Sequence, residues 1–299
     1  MKKILRRLLI LVLVLLVVAV APSMFAWKWA HTVPTWYPRT TADPVARAAA
    51  ANQMDQKLIA MYRDARESAR ESEIRSLKAA SGAPPATAPS GLVKIELTEE
   101  EINAFLAKWE QKFGWKERVS SFLTDPVIVL EDNEIILAGT VREWDTLMSL
   151  HFEVGMEKDG KLSLKLARVM AGTLPLPRSY FNGYTQKLVN AISNKVSQMR
   201  SEADIDASGC ANGPAVSLAM AELLEHSLQD EPSDPVLFLP ERIGHNSRSL
   251  PVNVTGVSIA NKTLSLTLEP MTVEQREALL HHLRGPADTT ETAMGRPVH

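Results

Sequence analysis

His281 and His282 are the closest approach to a metal-binding pair in this chain, and they are adjacent. Neighbours on a helix point about 100° apart, so two such imidazoles do not converge readily on one ion. Near a helix C-terminus they serve better as cations facing the helix dipole. Glu131, Asp132 and Glu134 gather carboxylates at a hairpin tip, as a calcium site does, but a solvated turn is the simpler account. Glu99, Glu100 and Glu101 suit a helix N-terminus and need no acid–base role. His151 falls on the polar face of a strand and reads as a surface residue. Cys210 sits in a Gly/Ser/Asn loop, and no G-x-S-x-G elbow, H-E-x-x-H pair, Walker loop or Rossmann glycine pattern occurs. The residue types therefore point away from an enzyme, with no catalytic residue, metal site or cofactor expected.

What must position the remaining residues begins with an unusual N-terminus. Lys2, Lys3, Arg6 and Arg7 precede an apolar run from Leu8 to Ala21, which Met24–Trp27 extends after Pro22-Ser23. About 20 such residues make a helix of roughly 30 Å, the thickness of a bilayer core. Basic residues ahead of the run place the N-terminus in the cytoplasm and the body outside it. Ala19-Val20-Ala21 resembles a signal-peptidase site, but Pro22 would follow the cut, and the reading favours an uncleaved anchor. Trp27, Trp29, Trp36 and Tyr37 then form an aromatic cluster of the kind found where a span meets the interface. The expected setting is a bacterial inner membrane, crossed once, with the main domain periplasmic.

A formal net charge of −2 gives no basic surface for phosphates, so nucleic acid is excluded as a partner. One cysteine cannot staple the fold internally, which leaves stability to the core. The 45% apolar content is enough to build one.

Residues 1–7 read as a basic cytoplasmic tip and 8–29 as the transmembrane anchor. Residues 30–80 read as a stalk helix, started by Asp43-Pro44, an N-cap followed by proline at N1. Met54, Leu58, Met61 and Ala65 lie on one of its faces, either as part of a solvated spacer or as a self-association seam. Residues 81–91, with three prolines and little to bury, form a semi-rigid linker. An extracytoplasmic α+β domain covers 92–285, as one body or as halves 92–203 and 214–285. Residues 286–299 form a loose tail.

Inside the domain the pattern alternates between strands and amphipathic helices. Leu92–Leu97 alternates, and Thr98 with Glu101 forms a capping box for a helix lined by Ile102, Phe105, Leu106, Trp109 and Phe113. Val127–Leu130 and Ile135–Val141 flank an Asp132-Asn133 turn. Met148–Met156 and Leu162–Leu166 flank Asp159-Gly160, which predicts a type I′ hairpin with one aliphatic face. Gly172–Pro177 leads into a helix with Phe181, Tyr184, Leu188, Ile192 and Met199 inward. Pro214 starts another, with Val216, Met220, Leu223 and Leu224 inward. A second hairpin follows, with a β-bulge at Gly256 and a turn at Asn261-Lys262, and Thr272 with Gln275 caps a last helix.

The expected fold is thus α+β: a transmembrane helix, a stalk helix and a curved antiparallel sheet packed with amphipathic helices. The sheet and a helix either close on an ordinary core or enclose an apolar groove suited to an acyl chain. Phe105, Trp109, Leu150, Phe152, Val154, Leu164, Leu166 and Tyr184 are the residues expected to line such a groove. Ile95–Leu106, the Asp159-Gly160 hairpin and the Gly172–Pro177 turn resemble, in that order, segments of the YpmS-like single-span envelope proteins of bacteria. That family is similar to the tubular lipid-binding (TULIP-like) fold, and the resemblance covers about Leu92–Met199. It implies a lipid or other apolar ligand and no catalytic residue. The expected partners are the membrane, a lipid ligand and, on the alternative reading, an envelope protein docked on an anchored scaffold domain.

Overall fold

The computed structural model describes residues 27–37, 43–80, 91–113, 123–177, 200–206, 208–242 and 248–284, with only the backbone at 75–80, 109–113 and 123. In chain order these form α1 (Pro44–Ala80), β1 (Val93–Thr98), α2 (Glu99–Phe113), β2 (Leu123–Glu131) and β3 (Glu134–Val141). Next come β4 (Thr146–Met156), β5 (Leu162–Ala171), β6 (Leu174–Leu176) and a 3-10 turn (Arg200–Glu202). The chain continues with α3 (Gly213–Gln229), β7 (Val236–Pro240), β8 (Ser249–Ala260), β9 (Thr263–Pro270) and α4 (Val273–Arg284).

The class is α+β, and the transmembrane helix expected at 8–29 is not among the described elements. Among the described residues no helix is long and apolar enough to cross a membrane. The longest, α1, is 37 residues of mixed charge, and the described chain opens on a single helical turn at 27–30. Residues 8–26, the linker residues 81–90 and the tail from 285 lie outside the described residues.

The strands form two antiparallel sheets rather than one. Five run in the order β2-β3-β4-β5-β6, and four in the order β1-β9-β8-β7. Because β1 pairs with β9 along its whole length, the segment after the linker and the C-terminal hairpin share a sheet. Asn261 and Lys262 both take positive φ, as a type I′ turn requires, and the register slips between Val254 and Gly256 at the expected bulge. The β4–β5 hairpin turns differently from the expected type I′. Gly160 alone has positive φ there, and Glu157 and Lys161 close a three-residue loop.

α1 is part of the core and not a solvated spacer. Met54, Met61, Tyr62 and Ala65 are buried against Ile95, Leu97, Leu250, Val252, Val254 and Leu268 of the four-stranded sheet. The seam that reads as a short coiled-coil stripe is therefore the helix's sheet-packing face. α1 also holds α2. Lys57 lies 2.6 Å from Glu101, whose carboxylate takes the Thr98 N–H at 2.9 Å in the capping box. Burial alone would raise the Glu101 pKa, but the Lys57 and Thr98 hydrogen bonds and the Lys57 charge outweigh it and hold it low.

β2 is an edge of its sheet, with outward backbone groups that need partners. α2 supplies them with side chains. Asn103 accepts from the Ile128 N–H (2.8 Å) and donates to the Ile128 carbonyl (2.6 Å), and Glu99 accepts from the Leu130 N–H (2.9 Å).

α3 turns a different face inward from the one expected. Ala215, Leu218 and Ser227 are buried, whereas Met220 and Leu224 are exposed. The helix is apolar almost all round, so its periodicity does not select a face.

Met61→Ala should cost about 2–5 kcal/mol in chemical denaturation, as a core truncation does, and a solvated spacer would lose under about 0.5 kcal/mol. Asn103→Leu should cost about 1–3 kcal/mol for the unmet Ile128 groups. It should also promote self-association through the bared β2 edge, which sedimentation would detect.

Candidate functional site

The registers of the five-stranded sheet separate an aliphatic face from one that mixes apolar and polar residues. Leu137 stands opposite Leu150, and Ile135 opposite Phe152. Phe152 in turn faces Leu166, Val154 faces Leu164, and Met156 faces Leu162. Directly opposed residues share a face, so these form one aliphatic surface across β3, β4 and β5. Phe152 is buried, while Leu150, Val154, Leu164 and Leu166 are each half-buried. α3 packs beside β5, and β8 approaches β4.

Five of the eight expected lining residues therefore come together on this surface. Phe105, on α2, is half-buried against the core of the other sheet, where Met156 from the end of this surface also packs. The side chain of Trp109 and all of Tyr184, with the helix expected after Pro177, lie outside the described residues.

The opposite face holds polar groups under an aromatic strap. Residues 27–37 cross this face, where Trp36 and Tyr37 pack on Val127, Ala138 and Leu147. The Trp29 carbonyl accepts from the Thr173 N–H (2.9 Å), and the Tyr37 hydroxyl donates to the Asp125 carbonyl (3.2 Å). Gly172, at φ +55°, lets the strap come close. A methyl group there would sit 2.6 Å from the Trp29 carbonyl oxygen.

His151 lies beneath the strap and is only 3% exposed, which corrects its reading as a surface residue. The Trp36 ring meets it edge-to-face at 5.8 Å. Ser149 Oγ is 3.1 Å from His151 Nε2, and Glu134 Oε2 is 3.3 Å from Nδ1. Arg168 grips both Glu134 oxygens at 3.0 and 2.7 Å. Glu134 thus turns inward, away from the solvated hairpin tip expected for it with Glu131 and Asp132.

A serine, a histidine and a glutamate in this order have the connectivity of an acyl-transfer relay. Ser149 is 2% exposed, however, and the strap closes the site, so no substrate atom reaches it in this arrangement. Here the three groups satisfy one another, and Trp36 of the strap lies against the histidine. The available sequence signal was Trp36-Tyr37 itself, an aromatic pair that needs a surface to cover.

A cavity of about 420 Å³ opens elsewhere, between α3, α4 and the chain leading to β7. Glu222, His226, Glu231, Ser233, His282 and Leu283 are among its lining, and none of the eight expected residues is. Glu222 pairs with His282 and Arg200, each at 3.3 Å. Among the described residues no group of three or more metal-ligating side chains converges.

Burial pushes the His151 pKa below its usual 6.5, and the Arg168 charge adds to this against the opposing pull of Glu134 and Glu131. The unfolded chain therefore binds this proton more readily than the folded one. Stability should be full above pH 6.5 and fall as pH drops from 6.5 toward the lowered value. Denaturation midpoints measured from pH 8 to 5 should show this step in the wild type and lose it in His151→Gln. No family model, curated protein or solved structure matches this chain.

Proposed function

We propose that the chain is a non-enzymatic domain that holds an acyl chain or similar apolar ligand on the aliphatic face of its five-stranded sheet. The supporting observation is the state of that face. Leu150, Val154, Leu164 and Leu166 stand in register but remain half-buried, whereas Val252 and Leu268 in the core of the other sheet are sealed completely. No charged side chain falls among the paired residues of this surface. An elongated apolar ligand needs little else, and each methylene buried contributes about 0.8 kcal/mol.

A second reading, a scaffold domain for a protein partner, draws on a different surface. Met220 and Leu224 stand one turn apart on α3, and both are exposed. An apolar ridge of that kind suits a packed partner helix.

The two readings separate with one chain and two variants. Native mass spectrometry with organic extraction, on full-length protein from its host membranes, should find a stoichiometric lipid or fatty acid. Leu164→Glu should weaken uptake of a fluorescent fatty acid tenfold or more, about 1.4 kcal/mol, while Leu224→Glu leaves it unchanged. A clean apo mass with no uptake leaves the scaffold reading.

A further inference from the structure

Four tryptophans have described side chains, and three of them are largely exposed: Trp27 at 67%, Trp29 at 53% and Trp144 at 49%. Short contacts bring all three to one end of the five-stranded sheet. The Trp27 and His31 rings lie 4.1 Å apart, and the far nitrogen of His31 is 3.3 Å from Thr146 Oγ1. That hydroxyl donates to the Trp144 carbonyl at 2.8 Å, in the turn between β3 and β4. Trp29 meets the neighbouring turn, where Thr173 donates to its carbonyl from both N–H and hydroxyl. Trp144 is far from the others in sequence, so only folding assembles this surface.

We propose that this tryptophan end seats the domain in the boundary between headgroups and acyl chains of a phospholipid bilayer. Indole has an apolar body and one N–H donor, and so prefers that layer to bulk water or hydrocarbon. The occupant also follows from where the chain goes. Ahead of Trp27, beyond Pro22–Ala26, the sequence runs back into the apolar segment Leu8–Ala21 and the basic residues ahead of it. Any membrane association of that segment is therefore delivered to this end of the sheet. Lys28 and Arg142 are balanced by Glu143 and Asp145 among the nearby charges, so the contact relies on indole insertion rather than attraction to anionic headgroups. This inference does not rest on the apolar-ligand reading.

The test reads Trp144 by difference. Full-length wild type and Trp144→Ala are incorporated into phosphatidylcholine vesicles with or without brominated acyl chains, and tryptophan emission is recorded. Trp144 is exposed on a turn, so the variant should keep the wild-type thermal midpoint. The emission component missing from the variant should be quenched by brominated lipid, shielded from aqueous acrylamide and indifferent to added salt. Quenching by acrylamide alone would overturn the proposal. Protection from both quenchers would overturn it as well, by showing a protein or a second copy over the patch. Trp27→Ala/Trp29→Ala should show the same loss of lipid-quenched emission.

Discussion

An edge strand must find partners for its outward backbone groups, and the way β2 finds them determines how the molecule is assembled. A neighbouring strand would have merged the sheets or invited a second copy. The partners are instead two side chains of α2, with Asn103 acting as a single-residue imitation of a strand at Ile128 and Glu99 capping Leu130. α2 starts where β1 ends, and β1 belongs to the other sheet. A short helix thus fixes the four-stranded and five-stranded sheets against each other. Lys262, at the tip of the β8–β9 hairpin, reinforces the joint by accepting the Glu99 N–H on its carbonyl and pairing with the Glu99 carboxylate at 3.2 Å.

Once the sheets are fixed, their faces divide the work. One face of the four-stranded sheet packs on α1 in the main core. The five-stranded sheet turns the face that carries Ser149, His151 and Glu134 among apolar residues to the aromatic strap, and its aliphatic face elsewhere. Burying His151 and Glu134 is tolerable because each polar atom meets another within hydrogen-bond reach and Arg168 compensates the carboxylate. Covering that face with an aromatic strap leaves the aliphatic face as the one still incompletely sealed.

Local rules were readable in the sequence wherever the determining contact is short-range. Thr98 with Glu101 and Thr272 with Gln275 form capping boxes as written, and Asn261-Lys262 turns as expected. One miss is local, the three-residue loop at Asp159-Gly160 where a type I′ turn was expected, and those that follow are tertiary. α1 carries the alternation of a modest seam, and nothing within it says whether water, another copy or a sheet meets that seam. α3 is apolar on too many sides for its period to choose one. His151 alternates correctly with its apolar neighbours, but its partner Trp36 lies more than a hundred residues away. Alternation did place Leu150, Phe152, Val154, Leu164 and Leu166 on one face of two paired strands, because a strand's period is local.

The docked strap has a mechanical meaning. With α1 already packed in the core, a free tether of about 17 residues ahead of it would still let the domain wander roughly 20 Å and turn in every direction. Trp27–Tyr37 removes that freedom, because hydrogen bonds and ring packing at both of its ends clamp it to the sheet. Whatever holds the N-terminus is coupled to the body as to a rigid handle. A pull or tilt applied there passes into β2, β4 and the turn at Gly172 instead of being absorbed by slack chain.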